Sequence, residues 1–470
     1  MIEPALQIAV GACAAYLTLV YACYLMLVAA GLAENRKRRR EAATEDFRTL
    51  GSSRFLPPVS ILLPAFDEET TVVGCVRSLL ALEYPDFELI VVDDGSRDGT
   101  LDALVAAFSL VPTTRVTRAP AITQAVLGCY RSEGERRLLV VAKEQGGKAD
   151  ALNAALGYAR SPYVLGADAD TVFAPDALTR AMRVVVQDPE RVVGVTSYVE
   201  VAEHPAEWMA QAKGRRQAPL APLIVAYQAL DYMRAFYTNR VALTRFGTML
   251  CSIGVFQIWR RDVVEELGGW SPAFTCEDIE LTFRVHERMR ATDRDYVVIC
   301  LPDAVGVTEG PNSVRKLVAQ RERWQRVTLE TWWAYRHMFA ATRYGAVGLL
   351  GMPFYLLTEV LAPLFELLAV LAFGTAVAFG ILGWQSLLLV TVLMTLVNAV
   401  LQAGAVYGLD RQARDHAPRN LARLLALAPL ELLVYRPIIS WARLKGTYRF
   451  FRGDRSWNKF ERNTPAVVTT

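Results

Sequence analysis

Histidine is scarce in this chain. Four occur in 470 residues, His204, His286, His337 and His416, too far apart in sequence to build a histidine metal cage. The seven cysteines, at 13, 23, 75, 129, 251, 276 and 300, form no C-x-x-C pair and no closely spaced framework. That excludes a zinc site of ordinary spacing and a disulfide scaffold, and it fits a reducing compartment. A surplus of one charge is missing too. Lys and Arg number 51 against 48 Asp and Glu, a net +3, so no strongly basic face is left for nucleic acid, which is excluded as a partner. Locally, charge disappears altogether: residues 4–32 hold none, and neither do residues 385–408.

What is abundant is apolar surface, 53% of the residues. Residues 4–32 are long enough to span a bilayer, and longer than the core of a cleaved signal peptide. ENRKRRR follows at 34–40 and sets that flank in the cytoplasm. A second apolar block, 346–441, reads as helices near 350–380, 385–408 and 421–441. The last carries Glu431, Arg436 and Pro437, and the proline is expected to kink it. Three crossings here would put the basic tail outside; two crossings and an interfacial helix would keep it inside, and both readings stand. The expected organisation is a transmembrane helix at 1–33, a basic cytoplasmic linker at 34–56, a cytoplasmic domain at 57–340, transmembrane or interfacial helices at 346–441, and a basic tail at 442–470. That tail is too short for a further regulatory domain.

Between the apolar blocks the pattern changes. VSILLPAF (59–66), FELIVVDDGS (87–96), RLLVVAKE (137–144) and PYVLGADAD (162–170) read as strands, with helical spacing between them. Alternating strands and helices predict an α/β domain with a parallel sheet covered on both faces. In such sheets ligands bind beyond the carboxyl ends of the strands. Asp93, Asp94, Asp168 and Asp170 all fall there. Residues two apart on a strand face the same side, so Asp168 and Asp170 are expected to converge. Paired carboxylates without His or Cys suit Mg²⁺ or Mn²⁺ bridged to a phosphate. Gly146-Gly147-Lys148 opens a helix with free backbone N–H groups and a cation, which suits a diphosphate. Each signal is weak alone, since acids and glycines also make ordinary turns.

Taken in order, VDDGS (92–96), GGKADALN (146–153), DADT (168–171), CED (276–278) and QRERW (320–324) resemble the motifs of the inverting family-two glycosyltransferases. Within that family the chain resembles the membrane-embedded processive synthases of poly-N-acetylglucosamine, cellulose, chitin and hyaluronan. The stretch VGVTEGPNSVRKLVAQRERW (305–324) resembles the first of these. The resemblance covers about 57–335 and implies a GT-A-like, Rossmann-type nucleotide-sugar domain flanked by transmembrane helices. It implies that Asp93 and Asp94 hold uridine, that Lys148 touches the diphosphate, and that Asp168 and Asp170 bind donor phosphates through Mg²⁺ or Mn²⁺. Asp278 falls on the catalytic base, with Glu277 beside it; the family's T-E-D reads C-E-D here, with Thr275 one place early. Gln320, Arg323 and Trp324 match Q-x-x-R-W, where the arginine meets the pyrophosphate and the tryptophan stacks on the acceptor sugar. The family's S-G is spaced out as Ser252-Ile253-Gly254.

The implied partners are a UDP-sugar donor, a growing glycan and the lipid bilayer of the plasma (inner) membrane, with room for an accessory membrane subunit. Residues 219–240 and 317–340 mix aromatics, aliphatics and arginines, as helices lying at a membrane interface do. Acids inside membrane segments are costly and usually functional, so Glu359 or Glu366 is expected to line a glycan path. Two competing readings stay open: a non-processive enzyme that glycosylates a membrane lipid, and a transporter or scaffold with a dead transferase domain.

Overall fold

The computed structural model describes residues 2–43, 56–118, 121–202, 222–410 and 418–454. The chain divides into two compact units. One contains the described residues of Lys37–Ala218 and Met249–Gly310; the other contains those of Met1–Arg36, Pro219–Thr248 and Pro311–Lys459.

The first unit is built on a ten-stranded sheet in the order β3-β4-β5-β2-β1-β6-β9-β8-β10-β7. The strands are β1 Val59–Ala65, β2 Phe87–Asp93, β3 Leu110–Thr113, β4 Val126–Ser132, β5 Leu138–Lys143, β6 Tyr163–Ala167, β7 Val172–Phe173, β8 Val192–Ala202, β9 Phe256–Arg260 and β10 Val297–Glu309. The four strands read from sequence form its centre, β5-β2-β1-β6, and all pair in parallel. Ile61, Leu62, Leu63, Leu89, Ile90, Val91, Val140 and Val141 are fully buried, as unbroken apolar strands must be when both faces are covered. Pro64 is tolerated in this central strand because β6 stops pairing at Leu62, two residues earlier.

The parallel sheet expected from sequence holds at the centre and gives way to antiparallel pairing further out. β4 runs antiparallel to β5, and β9 runs antiparallel to both β6 and β8. β4 is only half covered, and β9 spans just five residues, so neither carries a long run of period-two apolar residues to read.

The second unit is helical. Among the described residues three helices are long and apolar enough to cross a membrane, Glu3–Glu41, Trp384–Gly408 and Ala422–Phe451; a fourth crossing is counted if Val347–Val360 and Ala362–Ala378, bent by 50°, form one broken span. The third helix is thus longer than the 421–441 expected, and Pro437 does not end it. A π-helical stretch, Glu431–Tyr435, directly precedes the turn that holds Pro437. The same device recurs before Pro353 (Val347–Gly351) and before Pro363 (Leu356–Val360). A widened turn makes room for a ring that would otherwise strike the carbonyl one turn back.

Of the two expected interface segments, 222–240 is helical, continuing from Leu223–Tyr232 into the π-helical Met233–Arg240, while 219–221 lie outside the described residues. The other is the helix Val314–Ala334. Glu366 accepts from Arg436 Nε at 3.0 Å and from Ser440, and Glu359 pairs with Arg443 Nη2 at 3.2 Å. Both intramembrane acids of the sequence reading therefore have basic partners.

Candidate active site

The parallel strands β1, β2, β5 and β6 deliver their last residues to one edge of the sheet, and the acids lie there. At the end of β2, Asp93 and Asp94 behave differently. Asp94 is buried and fully engaged: its Oδ1 accepts from Lys143 Nζ at 2.6 Å and Gly146 N at 3.0 Å, and its Oδ2 from Gly147 N at 2.7 Å. It ties the glycine loop to the sheet. Gly147 has φ of +90°, a conformation open to glycine, and so turns its N–H inward at the start of the helix Lys148–Tyr158. Asp93 is also buried, yet its Oδ1 has no partner. Burial pushes Asp93 above the ordinary carboxylate range, against hydrogen bonds from Ser96. An orphaned buried acceptor of this kind calls for a donor from a ligand.

β6 ends at Ala167, so Asp168 and Asp170 stand in the turn beyond it. The strand alternation expected to align them has stopped by then, which corrects the geometric basis of that expectation. The charges of both carboxylates are felt at the Cys75 thiol beneath the turn. Burial, then the negative charges of Asp170, Asp168 and Glu68, push the Cys75 thiol well above its ordinary value. Thr171 Oγ1 donates to Asp170 Oδ1 at 3.1 Å.

Lys148 is the centre of the cluster. Its ammonium lies 2.8 Å from Asp168 Oδ1 and 2.9 Å from Glu277 Oε1. Burial alone would lower it, but the charges of Asp168, Glu277 and Asp278 outweigh burial and hold it well above its ordinary value. Glu277 and Asp278 open the helix Glu277–Ala291. Asp278 Oδ1 accepts from Ile279 N and from Cys276 Sγ, each at 2.7 Å. Its carbonyl accepts from Ser252 Oγ at 2.9 Å, which docks Ser252-Ile253-Gly254 on the helix start. A Cβ on Gly254 would lie 2.6 Å from Lys148 Nζ and 3.0 Å from Asp278 Oδ2, so the glycine backbone forms one wall of the cluster.

Lys148, Asp168, Glu277 and Asp278 are thus brought together across more than a hundred residues of sequence. Gln320, Arg323 and Trp324 lie on the helix Val314–Ala334 of the helical unit. There the Arg321 guanidinium sits 4.3 Å over the Trp324 ring and pairs with Asp231 at 2.9 Å, while Gln320 Oε1 is buried without a partner.

Sequence reasoning missed Lys143 and Asp150. Lys143 is wholly buried, 2.6 Å from Asp94 and 2.5 Å from Asp150. The signal was a lysine ending an apolar strand. It missed Asn153 too, which bonds Trp270 through both side-chain atoms at 2.8 Å.

No ready cage exists for a metal: no group of three or more His, Cys, Asp or Glu converges for an ion among the described residues. Asp168 and Asp170 are hard oxygen ligands of the kind a divalent ion takes, and an ion there would have to displace the Lys148 ammonium from Asp168.

The mixed α/β sheet, with acids gathered at the carboxyl edge of its parallel strands, has the GT-A glycosyltransferase fold of a solved structural neighbour. The chain aligns on a mannosyltransferase of Pyrobaculum calidifontis, solved in complex with GDP-Man and Mn²⁺, with a TM-score of 0.53 and 20% identity over 85% of this chain and all of that one. Residues 60–268 match the glycosyl transferase family 2 model, so the chain carries a glycosyltransferase domain of that family. It is 26% identical over 310 residues to the beta-monoglucosyldiacylglycerol synthase of Trichormus variabilis, 66% of this chain and 57% of that protein. It is 24% identical over 280 residues to the poly-beta-1,6-N-acetyl-D-glucosamine synthase of Staphylococcus epidermidis, 59% of this chain and 57% of that protein. The chain thus spans little more than half the length of these relatives.

Proposed function

We propose that this enzyme transfers a sugar from a UDP-sugar, with inversion, to a growing β-linked polysaccharide, and exports the product across the membrane that holds its helices. The donor is UDP-N-acetylglucosamine or UDP-glucose. The observation that carries this reading is the meeting of Lys148, Asp168, Glu277, Asp278 and the backbone of Gly254 at the carboxyl edge of the sheet.

In this reading Asp278 is the general base. An acceptor hydroxyl is a poor nucleophile at neutral pH, and a fixed carboxylate takes its proton as the new bond forms. Lys148 exchanges its carboxylate partners for the donor diphosphate and stabilises the charge that develops on the departing UDP. Asp93, with its unpartnered oxygen, receives a donor group of the base, while Asp94 holds the glycine loop in shape. Asp168 and Asp170 would hold Mg²⁺ or Mn²⁺, which when bound would supply positive charge to the departing diphosphate. Gln320, Arg323 and Trp324 serve the acceptor and pyrophosphate. A single displacement turns an α-linked donor into a β-linked product. The basic run 34–40 supports a multi-pass protein of the plasma (inner) membrane with this domain in the cytoplasm.

A second reading has its own support. The Trichormus relative is named for a glucolipid product, so a membrane lipid is the alternative acceptor. The test is UDP release by the protein in lipid vesicles, with each UDP-sugar supplied singly and Mn²⁺ or Mg²⁺ present. Release with one donor, lost on chelation and in Asp278→Asn, names the sugar. Product length separates polymer from glycolipid. No release with any donor overturns both readings.

A further inference from the structure

The residue before the acidic pair is a cysteine, and its thiol is not idle. Cys276 Sγ lies 2.7 Å from Asp278 Oδ1, on the same oxygen that accepts from Ile279 N. We propose that Cys276 is a positioning residue: its S–H donates to Asp278 Oδ1 and turns the other oxygen, Oδ2, toward the reacting hydroxyl. This rests on the reading of Asp278 as the base.

Three observations carry it. First, Asp278 Oδ2 faces the space beside Gly254, 3.0 Å from where a Cβ would stand, together with Lys148 Nζ. Oδ1 is thus the held oxygen and Oδ2 the presented one. Second, Asp278 is the second residue of its helix, and Cys276 precedes the first helical turn in an extended conformation (φ −133°, ψ 109°). From there its side chain makes no capping bond to the backbone and reaches the Asp278 carboxylate instead. Third, the thiol remains a donor. Burial, then the charges of Asp278 and Glu277, push it well above its ordinary value, so at neutral pH it keeps its proton. The same fact argues against a reactive, redox-sensing thiolate at this position.

A serine or threonine hydroxyl would make the same bond, and a stronger one. Hydrogen bonds that orient a group without touching substrate act on the chemical step rather than on donor binding. The test compares Cys276→Ser, Cys276→Thr, Cys276→Ala and Cys276→Val in vesicles, reading kcat and the donor KM by UDP release. The Ser and Thr variants are expected to keep the wild-type kcat or exceed it. The Ala and Val variants are expected to lose about tenfold in kcat with the donor KM unchanged, the value of one hydrogen bond to a charged group. Valine matches threonine in shape but has no donor, so the Thr/Val pair separates hydrogen bonding from packing even where alanine unfolds the site. Equal kcat for Thr and Val overturns the proposal, as does a loss confined to KM. An Asp278→Asn enzyme of wild-type rate would instead sink the reading of Asp278 as base, whatever the Cys276 series shows.

Discussion

Lys143 has no exposed surface, and its ammonium lies 2.6 Å from Asp94 Oδ1 and 2.5 Å from Asp150 Oδ1. The triad joins the end of β5 to the end of β2 and to the helix Lys148–Tyr158. Asp150 Oδ2 also accepts from Gln124 N at 3.1 Å. Removing the lysine would leave two buried carboxylates facing each other. Lys143→Met is therefore expected to destabilise the fold by about 3–5 kcal/mol, the cost of an uncompensated buried charge. Adding Asp94→Asn to that variant should recover part of the loss. Unfolding midpoints of the purified protein in detergent check both; a stable Lys143→Met would show that the triad is replaceable by packing alone.

Gly254 leaves no room for a methyl group. Its backbone does not have positive φ, so alanine is conformationally allowed and the effect of Gly254→Ala is steric. The new Cβ would press on Lys148 Nζ and Asp278 Oδ2. Lys148 is pinned between Asp168 and Glu277, so it yields only by breaking those ion pairs. The expected result is a kcat about a hundredfold lower with little change in the unfolding midpoint, because displacing reacting groups by about an ångström is that costly. A normal turnover rate would mean that the cluster has slack.

His286 predicts a pH dependence of stability. It is buried, and its ring nitrogens face Tyr296 Oη at 2.6 Å and the carbonyl of Met249 at 2.8 Å. Burial lowers its pKa from 6.5 to about 4, with Arg290 adding to the effect. Between those values the unfolded chain binds a proton that the folded one refuses. Stability present above pH 6.5 is thus lost as pH falls toward 4, by about 1.4 kcal/mol for each pH step of one across that window. Carboxylates add their own acid dependence, so the measurement is a difference: unfolding midpoints of wild type and His286→Gln at pH 7, 5.5 and 4.5. The gap between them should close as the pH falls.

What could be read from sequence followed from periodicity and chemistry acting together. The four central strands were legible because burial on both faces demands unbroken apolar runs, and the acids that close β2 and follow β6 gained meaning only as an ordered set. β4 and β9 were not, one half covered and the other short, and their pairing is set by partners distant in the chain. The fates of Asp93 and Asp94 were equally hidden. Side by side in sequence, they differ because Lys143 and two glycine N–H groups claim one and leave an oxygen of the other unclaimed. Cys276 read as a departure from T-E-D, and only its 2.7 Å approach to Asp278 gives that departure a physical meaning.

Glu359 or Glu366 was expected to line a glycan path, and the pairing of Glu366 with Arg436 makes a sharper prediction available. Arg436 Nε lies 3.0 Å from Glu366 Oε1, and Ser440 donates to the other carboxylate oxygen. Glu366→Leu strands the guanidinium among apolar helices, and Arg436→Leu strands the carboxylate. Each single change is expected to cost about 3–5 kcal/mol, while the double change, which removes both charges, should fall near the wild type. Unfolding midpoints in detergent measure this coupling. On the proposed function, polymer export by the same double variant then separates two roles that the single variants confound. If Glu366 serves only to pair Arg436, restored stability brings restored export. If its carboxylate also meets the passing sugar hydroxyls, stability returns and export does not.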